Sequence, residues 1–406
     1  MSLVLKFAGW AGAIMVTFSS LATVTLGADS GTGTSIESPS GPLVFDFSIK
    51  LPDSPTQVAW SPDGKRLAVS QFHTGPILLV DVEHQQFSNT GARAGSDPAM
   101  VWSPDGKYLA INDSGMMGNA LRILETETWQ EIGRKPRLGG ECIFQDGQSF
   151  GFSADSKFLW ASCYKRQSGP VQNQGPYKAL LKLNVPGLSI ASVVERNLPQ
   201  PLDFVAVFQD YAVQTPSGVR LSTILSSRFE GRDQLGGPIL RHFATLSELD
   251  TDAVPGPTVQ LQDDKFYSKH LSRMLQWPER HLIIAFWGWP DYPIQKDAPV
   301  PDKLSLPRLE TYDTRTGERL VAFAPTSEHG VLLHDVVLGQ KAGLVLGALS
   351  SLNPAEGGVA AWDPITGRLL QRLSTGRKPA SWLWLSGDET RLVVITVDEL
   401  QFFKIK

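Results

Sequence analysis

Short apolar segments separated by polar turns recur along most of the chain. Residues 57–70, QVAWSPDGKRLAVS, closely match residues 99–112, AMVWSPDGKYLAIN, and residues 151–162 carry a third copy, GFSADSKFLWAS. On each side of the Ser-x-Asp-x-Lys element, apolar and polar positions alternate, which is the pattern of two half-buried strands joined by a tight turn. Proline at the second turn position and Asp-Gly after it favour this reversal. The pattern predicts repeated β-hairpins.

A second hairpin follows each clear copy or recurs later in the chain. Its four clearest examples are LLVDVEHQQF, LRILETETWQEI, LETYDTRTGERLVAF and VAAWDPITGRLLQRL. An acidic residue ends the first strand in each, at Asp81, Glu125, Asp313 and Asp363, and Thr-Gly supplies the reversal in the last two. Two hairpins make a unit of four antiparallel strands, and such a unit repeated along a chain is typical of a propeller blade.

Weaker copies of the first hairpin lie near Thr215, Pro278, Gln340 and Asp388. With the three clear copies they predict seven blades, although six or eight stay open because the weak turns are eroded. The segment LVFDFSIKL near the start is a lone strand, and the chain ends on a third strand, QFFKIK. We therefore predict an all-β fold: a single β-propeller of seven four-stranded blades over residues 43–406, in which the N-terminal strand completes the last blade.

The SPDGK-type turns and the Trp362-Asp363 dipeptide resemble the WD-repeat and TolB/YncE-type bacterial β-propeller superfamily over roughly residues 43–406. The Gly-His dipeptide of classical WD repeats is not seen, which favours the exported bacterial branch. That branch includes protein-interaction platforms, lactonases and redox-enzyme subunits, so the resemblance implies a fold and leaves the function open.

The N-terminal residues predict the cellular location of the protein. Residues 1–28 combine a short start, an apolar stretch and small residues around Gly27, which is the pattern of a cleaved signal peptide. The alternative is an uncleaved membrane anchor. Residues 29–42 have the composition of a flexible linker. We expect a periplasmic or secreted protein that contacts a membrane only if the N-terminal segment is retained.

Composition limits the partners and cofactors. The formal net charge is −4 and no long run of Lys or Arg occurs, so nucleic acid is not an expected partner. Cys142 and Cys163 could form a disulfide in an oxidising compartment, or both could be buried free thiols. His329, His334 and Asp335 cluster without a known metal spacing. We predict no metal, no cofactor and no catalytic residue.

The loops that join the second and third strands of a blade are expected at residues 73–76, 113–119, 165–177, 226–238 and 288–307. They vary most in length, so binding is expected on their face of the molecule. The longest, residues 288–307, contains Trp289, Tyr292 and five prolines, and Trp287 directly precedes it. Rigid aromatic side chains are favourable anchors for a partner, although Trp287 and Trp289 could instead pack between blades. Further candidates in the shorter loops are Arg228, Arg232, Lys165, Arg166, Tyr177 and His73.

Two functions are compatible with these patterns. The first is a non-enzymatic exported platform that binds a protein or peptide across this loop face. The alternative is a periplasmic propeller enzyme, a lactonase-like hydrolase or dehydrogenase subunit, whose active site gathers single polar residues at the axis. Three or more Asp, Glu, His or Asn side chains pointing at the axis would favour the enzyme, and an apolar axis would favour the platform.

Overall fold

The computed structural model describes residues 41–406 except 73–74, 96–97, 114–119, 137–141, 145–149, 166–176, 197–209, 216–217, 233–237, 249–254, 262–269, 289–307, 324–330, 352–356 and 377–378. In parts of the third to sixth sheets it gives the backbone course alone. Within these residues the regular structure is β-strand, with one 3-10 turn at Pro278–Arg280. None of the described residues forms a helix of the length and apolarity needed to cross a membrane.

The strands form seven antiparallel sheets, here called blades one to seven in chain order. The chain starts with β1 (Leu43–Lys50), which belongs to blade seven. Blade one contains β2 (Pro55–Trp60), β3 (Arg66–Gln71), β4 (Pro76–Asp81) and β5 (Gln86–Arg93). Blade two contains β6 (Ala99–Trp102), β7 (Tyr108–Asp113), β8 (Ala120–Glu125) and β9 (Glu131–Pro136). Blade three contains β10 (Cys142–Phe144), β11 (Phe150–Phe152), β12 (Phe158–Lys165), β13 (Tyr177–Asn184) and β14 (Ile190–Arg196).

Blades four to seven continue the same order. Blade four contains β15 (Asp210–Thr215), β16 (Gly218–Arg232), β17 (Pro238–Glu248) and β18 (Pro255–Leu261). Blade five contains β19 (His270–Trp277), β20 (Leu282–Gly288), β21 (Arg308–Asp313) and β22 (Arg319–Phe323). Blade six contains β23 (Val331–Gly339), β24 (Leu344–Ser351), β25 (Gly358–Trp362) and β26 (Leu369–Leu373). Blade seven contains β27 (Trp382–Leu385), β28 (Arg391–Ile395), β29 (Glu399–Ile405) and β1.

The first strand of each blade lies innermost, and these strands form a ring. Each contacts the first strand of the next blade, in the order β2, β6, β11, β15, β19, β23 and β27, and β27 in turn contacts β2. We call the strands of a blade a to d from the axis outward. The a–b turns lie on one face of the ring and the b–c connections on the other, because successive strands are antiparallel. The predicted all-β propeller fold is confirmed.

The ends of the chain close the ring as predicted. Strand β1 pairs with β29 from Leu43 opposite Ile405 to Lys50 opposite Glu399. The side-chain amide of Gln371 in blade six ties this strand to its neighbour: Leu43 N donates to Gln371 Oε1 at 2.7 Å, and Gln371 Nε2 donates to Leu43 O at 2.9 Å. Closure gives the outer edge of β29 a hydrogen-bonding partner.

The repeated Ser-x-Asp turns are built from the same hydrogen bonds in every clear copy. In blade one, Ser61 Oγ donates to Asp63 Oδ1 at 2.5 Å, and Lys65 N donates to the same oxygen at 3.1 Å. Arg66 N donates back to Ser61 Oγ at 2.9 Å, and Gly64 takes a left-handed φ of 67°. Equivalent bonds join Ser103, Ser153 and Ser386 to Asp105, Asp155 and Asp388. The turn therefore satisfies its own polar groups.

Apolar residues on the blade faces pack between neighbouring blades. One cluster joins Leu121 and Ile123 of blade two to Phe152, Leu159 and Leu183 of blade three. Comparable clusters join blades seven and one, six and seven, five and six, and one and two. The core of the protein is thus distributed as a series of layers between blades, which is why the alternating pattern recurs in every repeat.

Two local expectations need correction. Residues 226–238 were expected to form a long b–c loop, but β16 continues through Arg232 and pairs with β17 up to Pro238. Blade three has two short strands, β10 and β11, in the innermost position instead of one, and both pair with β12. In each case the neighbouring strand is long enough to continue the backbone pairing through a segment that contains loop-forming residues.

Candidate functional site

The b–c face carries the longer connections of several blades. Strands b and c are separated by residues 72–75 in blade one, 114–119 in blade two, 166–176 in blade three and 289–307 in blade five. These boundaries match the loops predicted from the sequence. The opposite face carries the short a–b turns whose polar groups bond to one another. The two faces of the ring therefore differ in the length of their connections, which are short on the a–b face and of varied length on the b–c face.

Trp287 lies at the end of β20, where the longest b–c connection begins, but its side chain is only 1% exposed. Its Nε1 donates to Glu310 Oε2 at 2.8 Å, and Tyr312 Oη donates to the same oxygen at 2.5 Å. Arg319 Nη1 donates to Glu310 Oε1 at 3.1 Å. Trp287 is therefore buried and is not an exposed anchor in this structure, and these contacts lie within blade five instead of between blades.

The other predicted candidates fall into three groups. Lys165 and Tyr177 are paired residues at the ends of β12 and β13, and they border the blade-three loop as expected. Arg228 and Arg232 are strand residues of β16 instead of loop residues, with Arg228 opposite Arg241. The remaining candidates lie outside the described residues, so their role stays a prediction: Trp289, Tyr292, Arg166 and His73.

Cys142 and Cys163 lie on adjacent strands of blade three. The register places Cys142 opposite Lys165 and Phe144 opposite Cys163, so the two cysteines are diagonal neighbours. Cα atoms in this relation are about 7–8 Å apart, which is longer than the usual disulfide range of about 4.4–6.8 Å. A disulfide here would need the two strands to shift, and the pairing stays a prediction.

Sequence reasoning did not single out three exposed apolar residues on the b–c face of blades seven and one. Trp382 is 43% exposed, Phe72 is 43% exposed and Val397 is 56% exposed. Trp382 begins β27 and Val397 lies in the b–c turn of blade seven, while Phe72 follows β3 of blade one. We call these three residues the b–c apolar patch. Phe72 and Val397 each stand between polar residues in the sequence, and Trp382 begins the apolar strand WLWL, so no pattern marks the three as exposed.

Backbone hydrogen bonds join the elements that carry the patch. Leu51 N donates to Asp398 O at 2.9 Å, next to Val397, and Phe72 N donates to Ser54 O at 2.9 Å. Ser381 N, adjacent to Trp382, donates to Ile395 O at 2.9 Å. The three residues therefore lie at the b–c ends of two adjacent blades. Exposed aromatic residues are enriched among the residues that dominate binding at protein interfaces.

A buried carboxylate ties three blades together near the axis. Asp335 of β23 is 3% exposed and accepts an ion-paired hydrogen bond from Arg273 Nη1 of β19. It also accepts from Leu383 N of β27 and from Val336 N, both at 2.9 Å. Burial raises the pKa of Asp335, and Arg273 and the two amides oppose that shift. The predicted cluster around Asp335 is thus an inter-blade contact of blades five, six and seven.

His334, beside Asp335, pairs with a hydroxyl of the neighbouring strand. His334 Nε2 and Ser350 Oγ are 2.5 Å apart, and the register shifts at this point between Leu333 and Asp335. Burial lowers the pKa of His334, which favours the neutral ring. The contact joins strands a and b of blade six where they reach the b–c face. His329 lies outside the described residues.

The sequence also contains a Gly-x-Ser-x-Gly match, GQSFG at residues 147–151, that merits comparison with the nucleophile elbow of hydrolases. Ser149 lies outside the described residues. Phe150 and Gly151 belong to β11, which is followed by a Ser-x-Asp turn and β12. The elbow requires a strand that turns into a helix, and this segment is instead part of a β-hairpin.

A cavity of about 320 Å³ lies at the axis of the ring. Its described walls come from the innermost strands of six blades, and they extend to the a–b turns through Ser61, Pro62, Pro104 and Gly387. The described lining residues are mainly apolar, and their polar side chains are Ser61, Arg273, Gln276 and Gln340. Asp, Glu, His and Asn do not occur among them.

Aromatic and amide side chains around the cavity form equivalent bonds between blades. Trp102 Nε1 donates to Ala59 O at 3.0 Å, Trp60 Nε1 to Trp384 O at 3.3 Å, and Gln340 Nε2 to Gln276 O at 3.1 Å. Each bond runs from one blade to the end of strand a in the preceding blade. The Trp-Ser-Pro-Asp-Gly repeat therefore encodes an inter-blade bond as well as a turn.

Comparison with known proteins supports the fold. No protein-family model and no curated protein matches the chain. Among solved structures, a chain of the crystal structure of the mitotic checkpoint complex is similar over 95% of this chain and 99% of its own length, with a TM-score of 0.54 and 12% sequence identity. The chain therefore has the β-propeller fold. Likeness at this identity shows the fold alone.

A metal site is not evident in the part of the chain that the structure describes, where no three His, Cys, Asp or Glu side chains come together to hold an ion. Acidic side chains of the repeats instead accept hydrogen bonds within their own turns. The hydrogen bond from Ser153 holds the pKa of Asp155 below its usual value, and the bonds from Arg315 do the same for Asp313.

Proposed function

We propose that this propeller is an exported, non-enzymatic platform of the TolB/YncE-type bacterial branch that binds a protein partner on its b–c face. The observation that carries the proposal is the contrast between the faces. The a–b turns satisfy their own polar groups, whereas the opposite face combines long connections with the b–c apolar patch, Phe72, Trp382 and Val397. The solved structure with a similar fold is described as a complex, which is compatible with this proposal.

The position of the N terminus is compatible with such a platform. Lys406 N donates to Pro42 O, and Ile405 N donates to Thr390 O in the a–b turn of blade seven, both at 2.9 Å. The chain therefore enters the propeller on the a–b face. If residues 1–28 serve as a retained anchor, the linker is attached on the a–b face, and the proposed binding face is the opposite one.

The partner proposal is tested by capture with the full chain expressed in a bacterial periplasm. One variant replaces the b–c apolar patch: Phe72→Ser, Trp382→Ser and Val397→Ser. A matched control replaces three lysines of the a–b turns: Lys65→Ser, Lys107→Ser and Lys157→Ser. A specific partner should be crosslinked by the wild type and by the lysine variant, and its yield should fall about tenfold or more with the patch variant. Loss with the lysine variant alone would place the interface on the wrong face.

Export is tested separately by fractionation and mass measurement of the mature chain. We expect the protein in the periplasm or medium, with an N terminus near residue 29. A full-length chain recovered from the cytoplasm would contradict export. An intact N terminus in the membrane fraction would instead support the anchored form.

A further inference from the structure

The axial cavity lies between the innermost strands and reaches the a–b turns, and none of the three residues of the b–c apolar patch lines it. Its lining includes the ends of the innermost strands at Trp60, Trp102 and Leu385 and the adjoining turn residues Pro62 and Pro104. The volume of about 320 Å³ lies within the range of ligand pockets, which begins at about 300 Å³. A site here would function independently of the platform face.

The walls of the cavity are suited to an aromatic molecule. Trp60 and Trp384 are partly exposed side chains of adjacent blades, and both line the space together with Met100 and Met274. Indole rings stack on other aromatic rings, and methionine sulfur makes favourable contacts with ring edges. The remaining described wall is largely Val and Leu, and its polar side chains are Ser61, Arg273, Gln276 and Gln340.

The charge and hydrogen bonding of the walls favour a neutral ligand. Arg273 is the charged side chain among the described lining residues, and it is ion-paired with Asp335 behind the wall. The Nε1 atoms of Trp60 and Trp102 and the Nε2 atom of Gln340 already donate to backbone carbonyls. An ionic ligand would lose its hydration without gaining a compensating charge. Stacking and apolar contact are the interactions that the walls offer.

We infer that the axial cavity is a binding site for a neutral aromatic molecule of about two or three rings. An engineered apolar cavity of about 150 Å³ in another protein holds benzene, and the axial cavity here is about twice that volume. The ligand enters from the a–b face, because the cavity extends to the turns on that side. The inference does not depend on the proposed protein partner.

The test is a fluorescence titration of the full chain with N-phenyl-1-naphthylamine, a neutral probe that becomes fluorescent in apolar surroundings. We expect binding with a dissociation constant of about 10 µM, and energy transfer from the nearby indoles. The sulfonated probe 1-anilinonaphthalene-8-sulfonate is of similar size but anionic. It should bind at least about tenfold more weakly, because its charge would be desolvated without a partner.

Variants locate the site. Val101→Trp and Leu275→Trp add bulk to two different walls of the cavity, and each should weaken binding of the neutral probe about tenfold or more. Leu369→Trp adds the same ring on the exposed outer strand β26 and serves as the matched control, which should bind like the wild type. Trp382→Ser removes the largest side chain of the b–c apolar patch and should also leave binding unchanged.

A readout on the wild-type chain keeps the test independent of variant folding. Bound probe should slow hydrogen exchange of backbone amides in β2, β6 and β27. The proposal is overturned if the neutral probe does not bind, if it binds equally well to both filled variants, or if Trp382→Ser abolishes binding. Protection confined to the b–c face would likewise overturn it.

Discussion

At the scale of single residues, the repeated Ser-x-Asp element supplies the hydrogen bonds that satisfy polar groups at each reversal of the chain. Ser153 Oγ donates to Asp155 Oδ1 at 2.7 Å, and Phe158 N donates to Ser153 Oγ at 3.0 Å. The hydrogen bond to the ionised carboxylate lowers the pKa of Asp155. Ser156, which follows it, has a left-handed φ of 61° where the clearer copies have glycine. The hydrogen bonds of the turn are therefore kept when serine replaces glycine at the left-handed position.

The turn carboxylates should make the stability of the fold dependent on pH. The pKa of such a carboxyl is about 3.9 in the unfolded chain and lower in the folded protein. The carboxylate therefore stabilises the fold fully when the pH is above about 3.9, and this contribution is lost as the pH falls through the folded pKa. Asp155→Asn should therefore lower the melting temperature at pH 7, and the difference from wild type should shrink at pH 3. Glu127→Gln, at an exposed position in a c–d turn, is the control. A difference that is independent of pH would contradict the electrostatic explanation.

A glycine in blade two marks a close contact with blade three. A Cβ atom placed on Gly133 would lie 1.8 Å from the carbonyl oxygen of Pro186 and 3.0 Å from its carbonyl carbon. Both are backbone atoms, so the contact cannot be relieved by a side-chain rotation. Gly187, the next residue of the blade-three turn, has no atom within 4 Å of such a Cβ.

Gly133→Ala should destabilise the fold by about 2–4 kcal/mol, because the backbone of one blade must move away from the other. Gly187→Ala is the matched control and should change the free energy of unfolding by less than about 0.5 kcal/mol. Urea denaturation of the three proteins checks this. Equal stabilities for Gly133→Ala and wild type would show that blades two and three are not in contact at this point.

At the scale of elements, blades are joined both by apolar layers and by a few directed bonds. The equivalent bonds of Trp60, Trp102 and Gln340 all reach the same carbonyl position of the preceding blade. Asp335 is different, because its carboxylate connects strands of three blades at once. Directed bonds of this kind fix how adjacent blades align, whereas apolar layers alone permit sliding.

Removal of the Asp335 carboxylate should be costly. Asp335→Ala leaves the buried amide of Leu383 and the guanidinium of Arg273 without this acceptor, and we expect a loss of about 3–5 kcal/mol in the free energy of unfolding. Asp335→Asn retains an oxygen acceptor and should lie between the alanine variant and wild type. Urea denaturation measures all three. A loss below about 1 kcal/mol for Asp335→Ala would contradict the role assigned to this contact.

At the scale of the whole molecule, closure of the ring depends on pairing between the two ends of the sequence. Strand β1 supplies the outer strand of blade seven, and Lys404 Nζ on β29 bonds to Asp46 Oδ1 on β1 at 2.7 Å. Without this strand, β29 would present an unpaired edge next to a buried apolar layer. Stability and resistance to aggregation should both depend on it.

Deletion of residues 1–50 should therefore lower the melting temperature sharply or cause aggregation, while deletion of residues 1–40 should leave the melting temperature close to that of the full chain. Thermal unfolding and size-exclusion chromatography of the two truncated proteins check this. If both deletions behave alike, ring closure through β1 is not a determinant of stability.

The fold was predictable because a propeller repeats local signals. Alternating apolar positions, SPDGK turns and acidic strand ends are each encoded within about ten residues, and they recur often enough to fix the blade pattern. Pairing of the chain ends followed from counting strands. Strand bounds at most b–c connections also agreed, because proline and glycine mark them. Only blade four differed, since the length of β16 is set by its pairing with β17.

The sites were decided by the tertiary structure. Trp287 looks like any loop-proximal aromatic residue in the sequence, and only packing against Glu310 and Tyr312 places it inside blade five. Trp382, Phe72 and Val397 share one face of two adjacent blades because β27 meets β2 when the ring closes. The axial cavity likewise gathers residues from strands that are far apart in the chain. The sequence by itself determined the repeating unit through local periodicity, whereas surfaces and cavities depend on which distant units become neighbours.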